Sequence, residues 1–119
     1  DRSICYTGPI PAEYYTESIG SFLDNLDDLP DAFVCASDFV TFNVLNHLSK
    51  KGVRVPEDIQ LSGYDKSTDF LLTNHDITTV QVQNEQLGKR LIHQLSYRVS
   101  NPHADFEEIT ITPQILTIK

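Results

Sequence analysis

The sequence predicts an α/β domain built on a layered parallel sheet, and three observations carry that expectation. Strand-length apolar runs alternate with helical periodicities along the chain. The run Ala32-Phe33-Val34-Cys35-Ala36 is continuously apolar rather than alternating, as expected for a strand covered on both faces. Each such run is followed by a helical stretch, which is the compact way to connect two parallel strands.

The elements follow in order. Ile4-Cys5-Tyr6 reads as a short strand ended by Thr7-Gly8-Pro9. Ile19, Phe22, Leu23 and Leu26 recur at helical spacing from about Thr16, and Asp27, Asp28 and Pro30 mark the exit. After the strand at 32–36, Ser37 and Asp38 cap a second helix carrying Val40, Phe42, Val44, Leu45 and Leu48, which stops at Lys50-Lys51-Gly52. Val55-Pro56-Glu57-Asp58 is a turn, 59–63 a strand running into Tyr64-Asp65, and 77–82 a further β segment. Leu87, Leu91, Ile92, Leu95 and Val99 line one face of a last helix from Asn84, and Ile109, Ile111, Ile115, Leu116 and Ile118 suggest one or two closing strands around Pro113.

The chain is long enough for one core and too short for two ordinary domains: it has 119 residues, 39% of them hydrophobic and 22% charged. A formal charge of -8, from 17 acidic against 9 basic residues, repels a phosphate backbone, so contact with DNA through these residues is not expected. A basic helix-turn-helix, if the protein has one, belongs before Asp1. Cys5 and Cys35 sit in apolar runs and read as reduced structural thiols. No apolar stretch reaches the roughly 20 residues of a membrane span, and with no signal-peptide pattern at the start the expected location is cytoplasmic.

Strands that stop at Ser37-Asp38 and at Tyr64-Asp65 place two short polar groups where parallel sheets gather ligands, at the carboxyl ends of strands. His47, His75, His93 and His103 have no metal-binding spacing, and no nucleophile-base arrangement or phosphate loop is visible. No cofactor, metal or catalysis is expected.

Five motifs at consistent separations resemble the sensor domain of the lactose-repressor (LacI/GalR) family: 31–38, the helix ending at Lys51-Gly52 with 53–59 after it, Ser62-Gly63-Tyr64-Asp65, Ile77-Thr78-Thr79-Val80, and Leu87-Gly88. The resemblance covers about 16–119. It implies a fold like the type I periplasmic sugar-binding proteins, two α/β lobes with a ligand cleft between them. By that likeness 1–76 belongs to the carboxy-terminal lobe, 77–108 crosses toward the amino-terminal lobe, and 109–119 returns. It further implies a sugar-like small-molecule effector, a sugar or sugar phosphate, together with a homodimer and operator DNA bound through a domain outside this chain.

The resemblance also nominates residues. The aspartate matching Asp65 accepts hydrogen bonds from the ligand, although a carboxylate there also suits capping of the next segment. Ser37 stands where the family carries asparagine, so it offers one hydroxyl in place of an amide. Asp38 suits the helix dipole as well as a ligand. Ile10, Tyr14 and Tyr15 fall where similar proteins place a bulky residue against the ligand ring, while surface tyrosines are common in loops. Gly63 and Tyr64 suit shaping of the turn. The dimer contact is expected at Phe39 and Phe42 with Phe70 and Leu71. Because the receiving lobe is absent, the apolar face of the 84–99 helix is expected to fold back onto the sheet or against a second copy. Two rivals remain: a transport-type periplasmic binding protein of the same fold, and a sugar kinase or isomerase, which needs catalytic groups that the chain does not show.

Overall fold

The computed structural model describes residues 14–66 and 76–118, with only the backbone of Ile118. The expected first strand at 4–6 with Cys5, and Ile10, Phe70, Leu71 and His75, lie outside the described residues.

Among the described residues seven elements follow one another: α1 (Tyr15–Asp24), β1 (Ala32–Val34), α2 (Asp38–Lys50), β2 (Gln60–Ser62), β3 (Ile77–Gln81), α3 (Asn84–Ser100) and β4 (Gln114–Ile118). The sheet order is β1-β2-β3-β4. β1, β2 and β3 are parallel, with Phe33 beside Leu61 and Ser62 beside Thr78. β4 closes the sheet antiparallel to β3, pairing Thr79 with Leu116 and Gln81 with Gln114. Only one closing strand forms, and it starts just after Pro113, whose missing N–H suits a strand start rather than its middle.

One face of the sheet holds the core. Leu61, Ile77 and Thr79 point toward α1 and α2, which contribute Ile19, Leu23, Val44, Leu45 and Leu48; Val55 and Ile59 fill the base. α1 and α2 run side by side in the same direction. Tyr15 meets Phe39 edge to face at 5.7 Å, Thr16 Oγ1 donates to Asn43 Oδ1 at 2.8 Å, and the Asp24 carboxylate at the far end accepts from His47 Nε2 at 2.8 Å and from Lys51. Those last two donors, Lys51 foremost, hold the Asp24 carboxyl below the usual carboxylate range. α2 stops as its sequence indicates, with Gly52 at φ 76°, where a side chain would be strained.

Two expectations are corrected. β1 is not covered on both faces, since Ala32 is exposed and Val34 is 90% exposed. The helices cover only the Phe33 side, and a shallow groove of about 490 Å³ lies over the other, lined by residues that include Val34, Gln60, Thr78 and Thr117. Nor does the last helix fold back onto the sheet of its own chain, the first of the two ways expected for covering it. α3 has the expected register, yet none of its residues is buried: Leu87 is 40% exposed, Leu91 61% and Val99 75%. The reason is directional. β3 leads into α3 through only Val82 and Gln83, so the helix departs at the strand's carboxyl end, and β4 occupies the sheet edge beside β3. The radius of gyration is accordingly 18.7 Å, against about 13 to 14 Å for a compact chain of this length.

Candidate functional site

Three strand ends converge at the carboxyl edge of the parallel sheet, and backbone hydrogen bonds weld the loops that leave them. Cys35 N–H donates to Ser62 O, Gly63 N–H to Thr78 O and Asp38 N–H to Tyr64 O, all at 2.8 Å; Asp65 N–H donates to Val80 O at 3.0 Å. The Ser37 loop after β1 and the Asp65 loop after β2 therefore form one surface, supported by β3.

Ser37 is extended, at φ -154° and ψ 165°, and its Oγ accepts from Val40 N–H at 3.4 Å, which caps α2 as its sequence position indicates. Accepting that bond leaves the hydroxyl proton available to a second partner. Asp38 is turned inward. It is 1% exposed, and its Oδ1 accepts from the equally buried Thr79 hydroxyl at 2.7 Å. The expectation of direct ligand contact through Asp38 meets a carboxylate enclosed by its own lobe, because Thr79 on β3 claims it from the core side. Thr41 adds a second tie, its hydroxyl lying 3.0 Å from Ser37 O and 3.3 Å from Ser62 O. Gly63 makes this crowding feasible: a Cβ there would stand 2.2 Å from Asp38 Oδ1 and 2.7 Å from Thr41 Oγ1. Cys35, half-buried and free, has its thiol pKa raised by burial, only partly offset by a hydrogen bond with Thr41. It is a packed, protonated thiol.

Asp65 is exposed and carries a positive φ of 100°, followed by Lys66 at 51°. Left-handed backbone at two successive non-glycine residues is costly, and aspartate is among the side chains that tolerate it best. The turn is held from β3: besides the Asp65 N–H bond, Lys66 N–H donates to Thr79 Oγ1 at 3.4 Å and Lys66 Nζ to Gln81 Oε1 at 3.2 Å. Thr79 thus donates to the Asp38 loop and accepts from the Asp65 loop through one buried oxygen.

Tyr14, 53% exposed, opens α1 at the same end, since Tyr15 and Phe39 bring the two helix amino termini together. The site is a wall rather than a pocket. The concavity that includes Tyr14, about 730 Å³, runs along α1 past Glu17, Ser21 and Asn25 and reaches neither Ser37 nor Asp65. Of the expected dimer residues, Phe39 is 51% exposed, whereas Phe42 is half-buried against the core. Thr79, Thr41, Lys66 and Gln81 were not singled out by the sequence. Among the described residues no group of three or more metal-ligating side chains gathers, and no helix is long and apolar enough to cross a membrane.

Residues 3–118 match the periplasmic binding protein-like domain family. The chain is similar to the HTH-type transcriptional repressors PurR of Mannheimia succiniciproducens (30% identity, covering 79% of this chain and 28% of the relative) and Glaesserella parasuis (31%, covering 84% and 29%). It therefore spans under a third of the length of these curated relatives. Among solved structures it resembles a LacI transcriptional regulator from Bacillus cereus subsp. cytotoxis (TM-score 0.76, 27% identity, 86% of this chain and 37% of that one) and the transcriptional regulator CelR in complex with cellobiose (0.75, 26%, 87% and 32%). The chain belongs to the LacI/GalR family of transcription regulators, as part of their periplasmic-binding-protein-like effector-binding domain.

Proposed function

We propose that the chain is the carboxy-terminal part of a cytoplasmic effector sensor: 1–76 form one lobe, 77–108 cross to the other, and 109–119 return. A saccharide-like ligand lies against the wall described above, and its closure of the two lobes controls a separate amino-terminal helix-turn-helix in a homodimer that uses the Phe39 face. The observation that carries this reading is the welding of the Ser37 and Asp65 loops into one polar surface with an exposed carboxylate at its rim. The cellobiose in the CelR complex supports a saccharide as ligand.

Asp65 accepts from ligand hydroxyls, Ser37 donates its free proton, and Tyr14 and Ile10 offer apolar surface to the C–H face of a sugar ring. Asp38 serves from behind, as the anchor of α2. Ligand contact with both lobes favours the closed state, and only that difference in affinity shifts the population.

The test is calorimetry on the full-length protein after a thermal-shift panel of sugars. Asp65→Asn is expected to weaken binding by about 1.5 to 3 kcal/mol, roughly 10- to 150-fold, while the unliganded melting temperature holds. Unchanged affinity with lowered stability would instead make Asp65 a cap.

A further inference from the structure

Thr79 shares the core face of the sheet with Leu61 and Ile77 and is 0% exposed, at a place where valine would fill the same volume with no polar atom to satisfy. Its hydroxyl is used twice. The one proton goes to Asp38 Oδ1 at 2.7 Å, and the oxygen accepts from Lys66 N–H at 3.4 Å. A carboxylate only accepts, so Asp38 dictates the direction of that proton and leaves the lone pairs of Thr79 to the turn on its other side.

That turn needs holding. Asp65 and Lys66 take φ of 100° and 51° in succession, sparsely populated conformations that persist only where the surroundings over-determine them. Two neighbouring residues of β3 fasten it: Val80 O takes Asp65 N–H at 3.0 Å, and Thr79 Oγ1 takes Lys66 N–H. The first acceptor is a backbone carbonyl, which any residue at 80 provides. The second depends on the side chain at 79 and, through its proton, on a carboxylate 41 residues earlier at the start of α2.

We propose that Thr79, oriented by Asp38, is a positioning residue for the effector: it holds the Asp65 turn in its binding shape and so sets ligand affinity from a buried place out of the ligand's reach. This rests on the reading of Asp65 as the acceptor of ligand hydroxyls and gives that acceptor a source of pre-organisation. With Thr79 in place the carboxylate waits in position. Without it the turn visits other conformations, and only the fraction still correctly shaped binds. The loss then falls on the association rate, because the complex, once formed, keeps the same ligand contacts and dissociates as before.

The test uses the full-length protein. In its ligand-free form, amide hydrogen exchange is read at Lys66: Thr79→Val is expected to speed it about tenfold, and Thr79→Ser, which restores donor and acceptor, to stay near the parent protein. Calorimetry and stopped-flow titration with cellobiose, glucose and ribose then read binding. For whichever of these binds most tightly, Thr79→Val is expected to weaken affinity about tenfold through slower association, with dissociation changed less than about twofold, and Thr79→Ser to recover it. In an Asp65→Asn background Thr79→Val should add little, since the group being positioned has gone. Lys66 exchange unmoved by Thr79→Val, an affinity loss carried by faster dissociation, or losses at 65 and 79 that simply add, each overturns the proposal while leaving the saccharide reading intact. Binding of none of the three sugars, or binding unmoved by Asp65→Asn, sinks both.

Discussion

The lobe formed by α1, α2 and β1 to β3 and the arm formed by α3 with its return strand are patterned alike in sequence and end very differently. In the lobe, Ile19, Leu23, Val44 and Leu48 recur at helical spacing and all are buried. In the arm, Leu87, Leu91, Ile92, Leu95 and Val99 recur just as regularly, and all are exposed. Periodicity tells which face of a helix seeks a partner. It does not tell whether the partner lies in the same chain.

That contrast can be tested by substitution. In the 119-residue chain, Leu48→Ala is expected to cost about 2 to 5 kcal/mol, while Leu91→Ala stays within about 0.5 kcal/mol. In the full-length protein, where another lobe is proposed to meet α3, Leu91→Ala should rise toward the value for a buried leucine. Urea denaturation of both variants in both lengths decides it, and a small Leu91 effect in the full-length protein would leave the arm without the proposed cover.

A smaller loss is expected where the lobe is tightest. Gly63→Ala forces a methyl against Asp38 and Thr41 and should cost roughly 3 kcal/mol, the upper end of ordinary overpacking, whereas Gly88→Ala on α3, with no atom within 4 Å of the added carbon, should stabilise the helix slightly. Equal effects at the two glycines in thermal melts would contradict this account of the site. Next comes Thr79→Val, which keeps the shape and removes the donor to buried Asp38, at about 1 to 2 kcal/mol. Thr79→Ser should recover most of it in the same denaturation assay.

The smallest expected effect is on pH dependence. Hydrogen bonds from Arg54, side chain first and backbone second, lower the Asp58 pKa to about 2. Because the folded value lies below the unfolded one, the pair's contribution is present above about pH 4 and is lost as pH falls toward 2. Asp58→Asn should flatten that part of the stability curve by lowering stability slightly above about pH 4 and leaving it unchanged near pH 2, as followed by denaturant midpoints across pH.

Much of the lobe was legible because its signals are local. Ser37 before an apolar helix reads as a cap, Lys50-Lys51-Gly52 as a stop, and the run into Tyr64-Asp65 as the carboxyl edge of a parallel sheet. What escaped depends on register between distant segments. Thr78 and Thr79 look interchangeable in the string Ile77-Thr78-Thr79-Val80, and only the pairing with β2 turns Thr79 toward Asp38. A carboxylate at the first position of a helix reads as a partner for the helix dipole, and its enclosure follows from a strand about forty residues later. Lys66 carries no local signature, and the hydrogen bond that positions it comes from Gln81 on β3.

The two-residue link between β3 and α3 also has a mechanical side. Val80, whose carbonyl holds Asp65, lies four residues before the first residue of a 17-residue helix about 25 Å long. A swing of roughly 10° about Val82 and Gln83 would carry the far end of that helix through about 4 Å, on the geometry of a rigid rod. The fulcrum of this lever lies almost within the wall formed by the Ser37 and Asp65 loops, so a sub-ångström adjustment there would become a displacement at Ser100 the size of a side chain.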